Sequence, residues 1–370
     1  MSSEPSPCSL CLQQSYPEIM ANTEEKSAVK VVLGAMTFGF EGKPGVRVHD
    51  VKQVEQIIDV FRAHGHEEID NSRYYGAGTS EEIIGQIDWK AKGLKLSTKL
   101  PAFHMKSGQS GQQRGARHDR DVEEITHNYE DMKKHILISL KALNVDCLDL
   151  WYLHTPDRTV PYEVTMKAVN ELYKEGYFKR FGISNFMAWE VAEMVGICKA
   201  NGYIMPTVYQ GIYNAIHRAA EPELFPCLRK FGISFYEFNP LGGGFFTGRY
   251  GTGQSKVNAD SGSRFDENTG QGRNYRDRYW NDAYFNALST IQTAAEKHNL
   301  TLTEIALRWV SHHSLLKREY GDAIIIGASN VKHIEENMND LDKGPLPTEV
   351  VEVIDAAWEV ARPFVTKYHH

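Results

Sequence analysis

Glu67-Glu-Ile-Asp-Asn-Ser-Arg-Tyr-Tyr-Gly76 is the stretch that decides the fold. It reads as a short buried strand around Ile69 and Asp70 that runs into a polar turn carrying Tyr74 and Tyr75. A loop leaving the end of a strand is where α/β proteins place their chemistry. Two later strands end the same way, each apolar run delivering one polar residue: Leu94-Lys-Leu-Ser-Thr-Lys99 and Cys147-Leu-Asp-Leu-Trp-Tyr-Leu-His154. Asp70, Tyr75, Lys99 and His154 are thus expected to share one site built from neighbouring strand ends. Tyr75 is preferred over the adjacent Tyr74 for its spacing from Asp70.

One reaction suits these four side chains. Reduction of a carbonyl by hydride transfer leaves an alkoxide that needs a proton. A tyrosine can supply it if its pKa, normally about 10, is drawn towards neutrality. A neighbouring ammonium favours the phenolate, and a carboxylate holds that ammonium in place. A histidine can hydrogen-bond the substrate oxygen and polarise it. Tyr75 is then the acid, Lys99 the tuner, Asp70 its holder and His154 the orienter. Each of these residue types at a strand end is ordinarily a satisfied loop residue; their conjunction carries the reading. A hydrolase reading would need paired carboxylates at strand ends. Only Asp70 and Glu237 qualify, and Glu237 is expected inside the barrel.

The pattern alternates outward from this stretch. Val29–Leu33 reads as a strand, and 51–63 as a helix whose apolar residues recur at helical spacing (Val51, Val54, Ile57, Ile58, Phe61). A helix from Ser80 and the Lys99 strand follow, then a polar glycine-rich segment from Pro101 to about Asp121, read as a mobile loop over the site. Next come a helix from about Glu123 to Leu143, the Cys147 strand, a helix over 161–175 and the strand Phe178–Ser184. Helix 189–200, strand 207–214, helix 221–230 and strand 234–240 precede a glycine-rich, basic excursion from Leu241 to Asp277. Helices near 284–297 and 303–311, the strand Ala323–Ile326 and helices 331–341 and 347–361 complete the chain. Apolar strands alternating with amphipathic helices mean a parallel sheet covered by helices. Eight such units predict an α/β fold, a closed (β/α)8 TIM barrel with extra helices and long loops at its C-terminal face.

The 370 residues, 41% of them hydrophobic, can bury a large core, and a single barrel domain over 28–370 is expected. Residues 1–27, rich in Ser, Pro, Glu and Gln, read as a disordered tail. A net charge of −7 argues against nucleic acid or an anionic membrane as partner. No run approaches the roughly 20 apolar residues of a membrane span, and the start lacks the features of a secretory signal. Five cysteines, an odd number, fit a reducing cytoplasm. Cys8 and Cys11 form a lone Cys-x-x-Cys for which neither a metal nor a redox role is expected.

From Val31 onward the motifs accumulate in order. Gly34-Ala-Met36 is followed by Glu68-Ile-Asp70 with Tyr75, Ser97-Thr-Lys99 and Trp151-Tyr-Leu-His154. Gly182-Ile-Ser-Asn185, Tyr209-Gln-Gly-Ile-Tyr-Asn214 and Phe238-Asn-Pro-Leu-Gly-Gly-Gly244 come later. The chain resembles the aldo-keto reductases, TIM-barrel enzymes that reduce carbonyls with NADPH. It looks closest to their aflatoxin aldehyde reductase and succinic semialdehyde reductase branch, as does Tyr275-Arg-Asp-Arg-Tyr-Trp280. The resemblance implies a catalytic tetrad of Tyr75, Asp70, Lys99 and His154. It implies that Ser184, Asn185 and Gln210 hydrogen-bond the nicotinamide carboxamide and that Phe238 stacks near that ring. Asn239, Pro240, Leu241, Gly243 and Arg249 would wrap the pyrophosphate, and Arg264 would reach NADPH or NADP+ from the long loop. Ser329, Asn330, Lys332, Glu336 and Asn337 would take the adenosine end at a helix N-terminus. His154, Tyr275 and Arg278 fall where the branch holds its substrate, a small aldehyde or ketone, and the branch suggests a homodimer. Potassium-channel β subunits, regulatory barrels that keep the same tetrad, are the alternative. Two departures stand out: Ser107–Asp121 is longer and more polar than the branch pattern, and the chain ends Tyr368-His-His370 where the branch has an aromatic followed by arginine.

Overall fold

The structure is a computed structural model describing residues 26–104, 124–250, 259 and 263–370. Residues 1–25, with Cys8 and Cys11, and the Ser107–Asp121 stretch lie outside the described residues. Eight parallel strands close in chain order: β1 (Lys30–Gly34), β2 (Glu68–Asp70), β3 (Lys95–Leu100), β4 (Leu148–Leu153), β5 (Phe178–Ser184), β6 (Val208–Ile212), β7 (Ser234–Phe238) and β8 (Ala323–Ile326). Closure is made by β1 on β8, with Val31 opposite Ile324 and Leu33 opposite Ile326. The expected (β/α)8 barrel is the observed fold.

Strand alternation explains the interior. Val32, Leu150, Tyr152, Val208, Tyr236, Ala323 and Ile325 point inward and form a compact core inside the barrel. At its N-terminal end Glu68 is held by Lys30 (2.5 Å), Arg180 (2.8 Å) and the Tyr236 hydroxyl (3.0 Å). Two residues on, the same face of β2 presents Asp70 at the opposite end. Tyr152 reaches across this interior because Gly182 has no side chain: a Cβ there would lie 2.4 Å from its ring.

Outside lie α1 (Val51–Ala63), α2 (Thr79–Ile84), α3 (Tyr129–Leu143), α4 (Tyr162–Lys174), α5 (Ala188–Asn201) and α6 (Leu224–Phe231). They are followed by α7 (Gly270–Tyr279), α8 (Asp282–Lys297), α9 (Leu302–His312), α10 (Val331–Leu341) and α11 (Thr348–Ala361). In α1 the Asp50 side chain accepts from the Lys52 N–H, and the stripe Val54, Ile57, Ile58 and Phe61 is buried. Each such side chain contributes about 1.5–3 kcal/mol of apolar burial.

Three expectations are corrected. Helix α3 begins at Tyr129, six residues later than read, because Asn128 caps it by accepting from the Asp131 N–H. Ile125 instead pairs with Phe103 in an antiparallel bridge at the base of the preceding segment. The Leu241–Asp277 excursion, in which no helix was read, contains a 3₁₀ turn at Gly242–Thr247 and most of α7, capped by Thr269. Its polar, glycine-containing sequence carries little helical period, and only Tyr275 and Tyr279, four apart, mark a buried face. Glu237 does not enter the barrel. Its neighbour Tyr236 does, and Phe235, on Glu237's own face, stacks against Tyr209 and Phe225 in the helix layer. Both Glu237 carboxyl oxygens lack a partner among the described residues, and burial pushes the group well above the usual carboxylate range. A carboxyl facing the helix layer rather than the mouth cannot pair with Asp70, which removes the hydrolase reading.

Candidate active site

The C-terminal mouth of the barrel brings the four residues together. Lys99 Nζ donates to Asp70 Oδ2 and to the Asn71 carbonyl, both at 2.6 Å, and stands 3.5 Å from the Tyr75 hydroxyl. The ammonium also lies 5.0 Å from the centre of the Tyr75 ring and 5.7 Å from that of Tyr152, so it sits between two aromatic faces. His154 meets Tyr75 edge-on, ring centres 5.9 Å apart. Tyr74 is turned outward, 46% exposed and 5.6 Å from the Phe103 ring, while Tyr75 is the tyrosine beside Lys99.

Local sequence explains how Tyr75 arrives there. Gly76 and Ala77 follow it with positive φ (56° and 57°), reversing the chain straight after the tyrosine. A Cβ on Gly76 would lie 2.7 Å from the Thr79 hydroxyl, so the turn requires glycine.

The electrostatics differ from expectation in one respect. Lys99 does not draw the tyrosine towards neutrality. Enclosure of the Tyr75 hydroxyl, reinforced by the Asp70 carboxylate, pushes it well above its ordinary value. Burial lowers Lys99, with Asp70 opposing. Burial, then the charge of Lys99, drives His154 well below the usual imidazole range, so this ring is neutral. The site therefore holds a neutral phenol, a neutral imidazole and a buried ammonium–carboxylate pair.

Two residues that the sequence did not single out also lie at this end of the barrel. The Ser72 hydroxyl lies 3.0 Å from His154 Nδ1 and accepts from the Tyr74 N–H. If it donates to Nδ1, the neutral ring keeps its proton on Nε2 and can donate to a carbonyl oxygen. Arg47, from the loop after β1, is the second. Burial and then the like charges of Arg264 and Arg249 lower its pKa. Neither residue lies in a strand-end pattern, and a serine three before a tyrosine carries no signal of its own.

The residues expected around a dinucleotide lie at and beyond the C-terminal ends of β5 to β8. Ser184 and Asn185 are buried, and the Asn185 amide donates to the His154 carbonyl (2.9 Å) and to Ser184 Oγ (2.9 Å). Gln210 spends its donor on Asp70 Oδ1 at 2.8 Å, so its amide steadies the carboxylate. Phe238 ends β7 half-buried, and Asn239, with φ +68°, begins the turn through Pro240 and Leu241. Gly243 has φ +70°, and a Cβ on it would lie 2.1 Å from the Tyr275 ring. Tyr275 in turn donates to Asn239 Oδ1 (3.0 Å), while Asn239 Nδ2 is buried with no partner among the described residues. A turn restricted to glycine beside an orphaned amide donor is a cradle suited to pyrophosphate. Arg249 is exposed at its far end.

The second anion end is less complete than expected. Asn330 caps α10, accepting from the His333 N–H (2.8 Å), and Ser329 contacts the His333 ring (2.9 Å). Lys332 and Glu336 face solvent as a 3.6 Å pair, while Asn337 is buried. Arg264 lies near Tyr275 and Gly327, the latter two residues before Ser329. Arg278 is half-buried, 6.0 Å from the Tyr275 ring centre, and its charge is felt by His217 and His370. No carboxylate pairs with it among the described residues. The final residue is tied to the same rim: the His370 N–H donates to the Asn185 carbonyl (3.0 Å), and Arg158 donates to the His370 carbonyl (2.8 Å). Among the described residues no cluster of metal-binding side chains occurs.

Residues 30–359 match the model of the Aldo/keto reductase family. The chain is 42% identical over 358 residues to the aldo-keto reductase pigE of Monascus ruber, covering 95% of this chain and all of that protein (100%). It is 36% identical over 337 residues to aflatoxin B1 aldehyde reductase member 2 of Mus musculus, covering 89% and 84% of the two chains. The structure of the glycerol dehydrogenase AKR11B4 from Gluconobacter oxydans superposes with a TM-score of 0.65 at 21% identity, covering 90% of this chain and 92% of that one, a likeness of fold.

Proposed function

Because the chain belongs to the aldo/keto reductase family, we propose that it reduces aldehydes, and some ketones, to alcohols with NADPH, Tyr75 supplying the proton. The observation that carries this reading is the Lys99 ammonium, held 2.6 Å from Asp70 and 3.5 Å from the Tyr75 hydroxyl at one strand-end mouth. NADPH would provide the hydride. Tyr75, kept neutral by its enclosure, holds the proton until the developing alkoxide takes it. Lys99 then faces the phenolate, and Asp70, steadied by Gln210, keeps that ammonium in position. His154 Nε2 donates to the carbonyl oxygen when Ser72 donates to Nδ1, fixing the oxygen between the two rings.

Ser184, Asn185 and Phe238 would hold the nicotinamide end and the Asn239–Gly243 turn the pyrophosphate. For the 2′-phosphate, Ser329, Asn330, Lys332 and Arg264 are the candidates, so NADPH should be preferred over NADH and Lys332→Ala should narrow the gap. Arg278, half-buried beside Tyr275 and with no carboxylate pairing it among the described residues, supports a carboxylate-bearing or dicarbonyl substrate. The reading extends to a single reductase domain over 28–370, acting in the cytoplasm and able to form a homodimer. Among the described residues no helix is long and apolar enough to cross a membrane.

The test is NADPH consumption by purified protein across an aldehyde panel that includes nitrobenzaldehyde and succinic semialdehyde. Turnover with Tyr75-dependent rates is expected. Tight NADPH binding with no turnover of any aldehyde would instead favour a regulatory barrel.

A further inference from the structure

Beside the Lys99 ammonium lies a ring that has no part in the chemistry above, that of Tyr152. Lys99 of β3 stands opposite Tyr152 of β4 in the strand register, and Tyr152 stands opposite Gly182 of β5. The Tyr152 ring is wholly buried in the barrel interior with Val32, Leu150, Val208 and Tyr236. It leans across β5, where a Cβ on Gly182 would stand 2.4 Å and 2.5 Å from two of its ring carbons. Glycine at 182 is therefore what leaves room for a large ring next to the lysine.

The supports of the ammonium are uneven. Its two short contacts, Asp70 Oδ2 and the Asn71 carbonyl at 2.6 Å each, both come from the end of β2. From β4 it meets a π face, with Nζ 5.7 Å from the Tyr152 ring centre. The Tyr152 hydroxyl has no partner among the described residues, so the contact that distinguishes this residue is made by its ring. An aromatic face attracts a cation, and more strongly when water is excluded. Lys99 is such a desolvated cation: burial lowers its pKa, and the charges of Asp70 and then Glu81 oppose that fall. His154 and Tyr75 are the other titratable groups that face it.

We propose that Tyr152 is a positioning residue of the reductase, whose ring face stabilises the Lys99 ammonium and holds it within reach of the Tyr75 hydroxyl. The proposal rests on the reading of Tyr75 as proton donor. Its consequence is kinetic. Burial lowers Lys99 while enclosure raises Tyr75, so the ammonium is the first of the two to lose its proton as pH rises. Weakening the ring face lowers Lys99 further and moves the alkaline limb of the rate profile to lower pH.

The experiment measures single-turnover NADPH oxidation by nitrobenzaldehyde against pH, which separates chemistry from product release. Tyr152→Leu should slow this step about 2- to 30-fold and move the alkaline limb down by about 0.4 to 1.5 units, the range of one cation–π contact. NADPH affinity, read by tryptophan fluorescence, should stay within about twofold of wild type. Tyr152→Phe keeps the ring face and should recover both the rate and the limb. The decisive series replaces Tyr152 by phenylalanine carrying no, three or five ring fluorines. Fluorination drains the π face at nearly constant volume, so the limb should fall stepwise, and this series carries the test if Tyr152→Leu does not fold. An alkaline limb that ignores fluorination overturns the proposal, as does a Tyr152→Phe variant as slow as Tyr152→Leu, which would give the role to the hydroxyl. A wild-type chain that turns over no aldehyde with NADPH would instead overturn the reductase reading, a separate failure.

Discussion

Lys99 Nζ is 2.6 Å from Asp70 Oδ2 but 3.5 Å from the Tyr75 hydroxyl, so the ammonium is committed to the carboxylate and only poised towards the phenol. Both partners of the ion pair are almost wholly buried, at 0% and 4% side-chain exposure. This asymmetry separates a structural duty from a chemical one and lets each be tested alone.

Tyr75→Phe removes the proton donor and almost no volume. Aldehyde reduction should fall at least ~100-fold, the ordinary scale of general acid catalysis, while NADPH affinity is retained. Steady-state rates and fluorescence titration on the same preparation check this; wild-type-like turnover would refute the role.

Lys99→Met leaves the Asp70 carboxylate buried without its cation. Removing one member of a buried pair costs about 3–5 kcal/mol, so urea unfolding should shift by that amount. Asp70→Asn combined with Lys99→Met should regain much of the stability and none of the activity. If the single variant unfolds at the wild-type midpoint, the pair is not the buried strut described here.

Acid should destabilise the fold through its neutral histidines. His127 is fully buried, and burial lowers it from 6.5 to about 4, with Asp157 opposing. The unfolded chain binds this proton below about pH 6.5 and the folded chain only below about pH 4. The contribution is therefore complete above pH 6.5 and is lost as pH falls towards 4. It amounts to roughly 3 kcal/mol on the linkage scale. Neither ring nitrogen has a partner among the described residues, so His127→Phe should fold and show a shallower loss of stability between pH 6.5 and 4. Equal slopes in urea unfolding at the two pH values would count against it.

Arg278 bears on substrate choice. A guanidinium–carboxylate contact is worth roughly 1.5–3 kcal/mol, about ten- to a hundredfold in kcat/KM. Succinic semialdehyde should outperform butanal by that factor in the wild type, and Arg278→Ala should erase the difference. A preference that persists undiminished in the variant means the carboxylate is held elsewhere.

Much of the site was legible because its residues end apolar strands. Asp70, Lys99 and His154 each follow a run whose side chains alternate in and out, so the period alone aims them at the mouth. The strands Phe178–Ser184 and Ala323–Ile326 and the helices 51–63 and 331–341 were readable to the residue for the same reason. Helix α7 was not. Gly270, Gly272 and four charged residues hide its period, and it forms because Tyr275 and Tyr279 pack on Phe265, Phe245 and Tyr284, all outside the helix.

By itself, then, the order of apolar runs determined an eight-fold strand–helix chain and the strand ends that carry its polar residues. Such periodicity is local, recording what each residue does with neighbours a few positions away. Closure of β1 on β8 is not local, and it alone sets Thr37 beside Ala328. Nor is desolvation local. Asp70, Lys99 and Tyr75 were expected to make a tyrosine that loses its proton easily. Enclosure by the assembled barrel makes one that keeps it, since the cost of a buried phenolate depends on everything packed around it rather than on the ammonium alone.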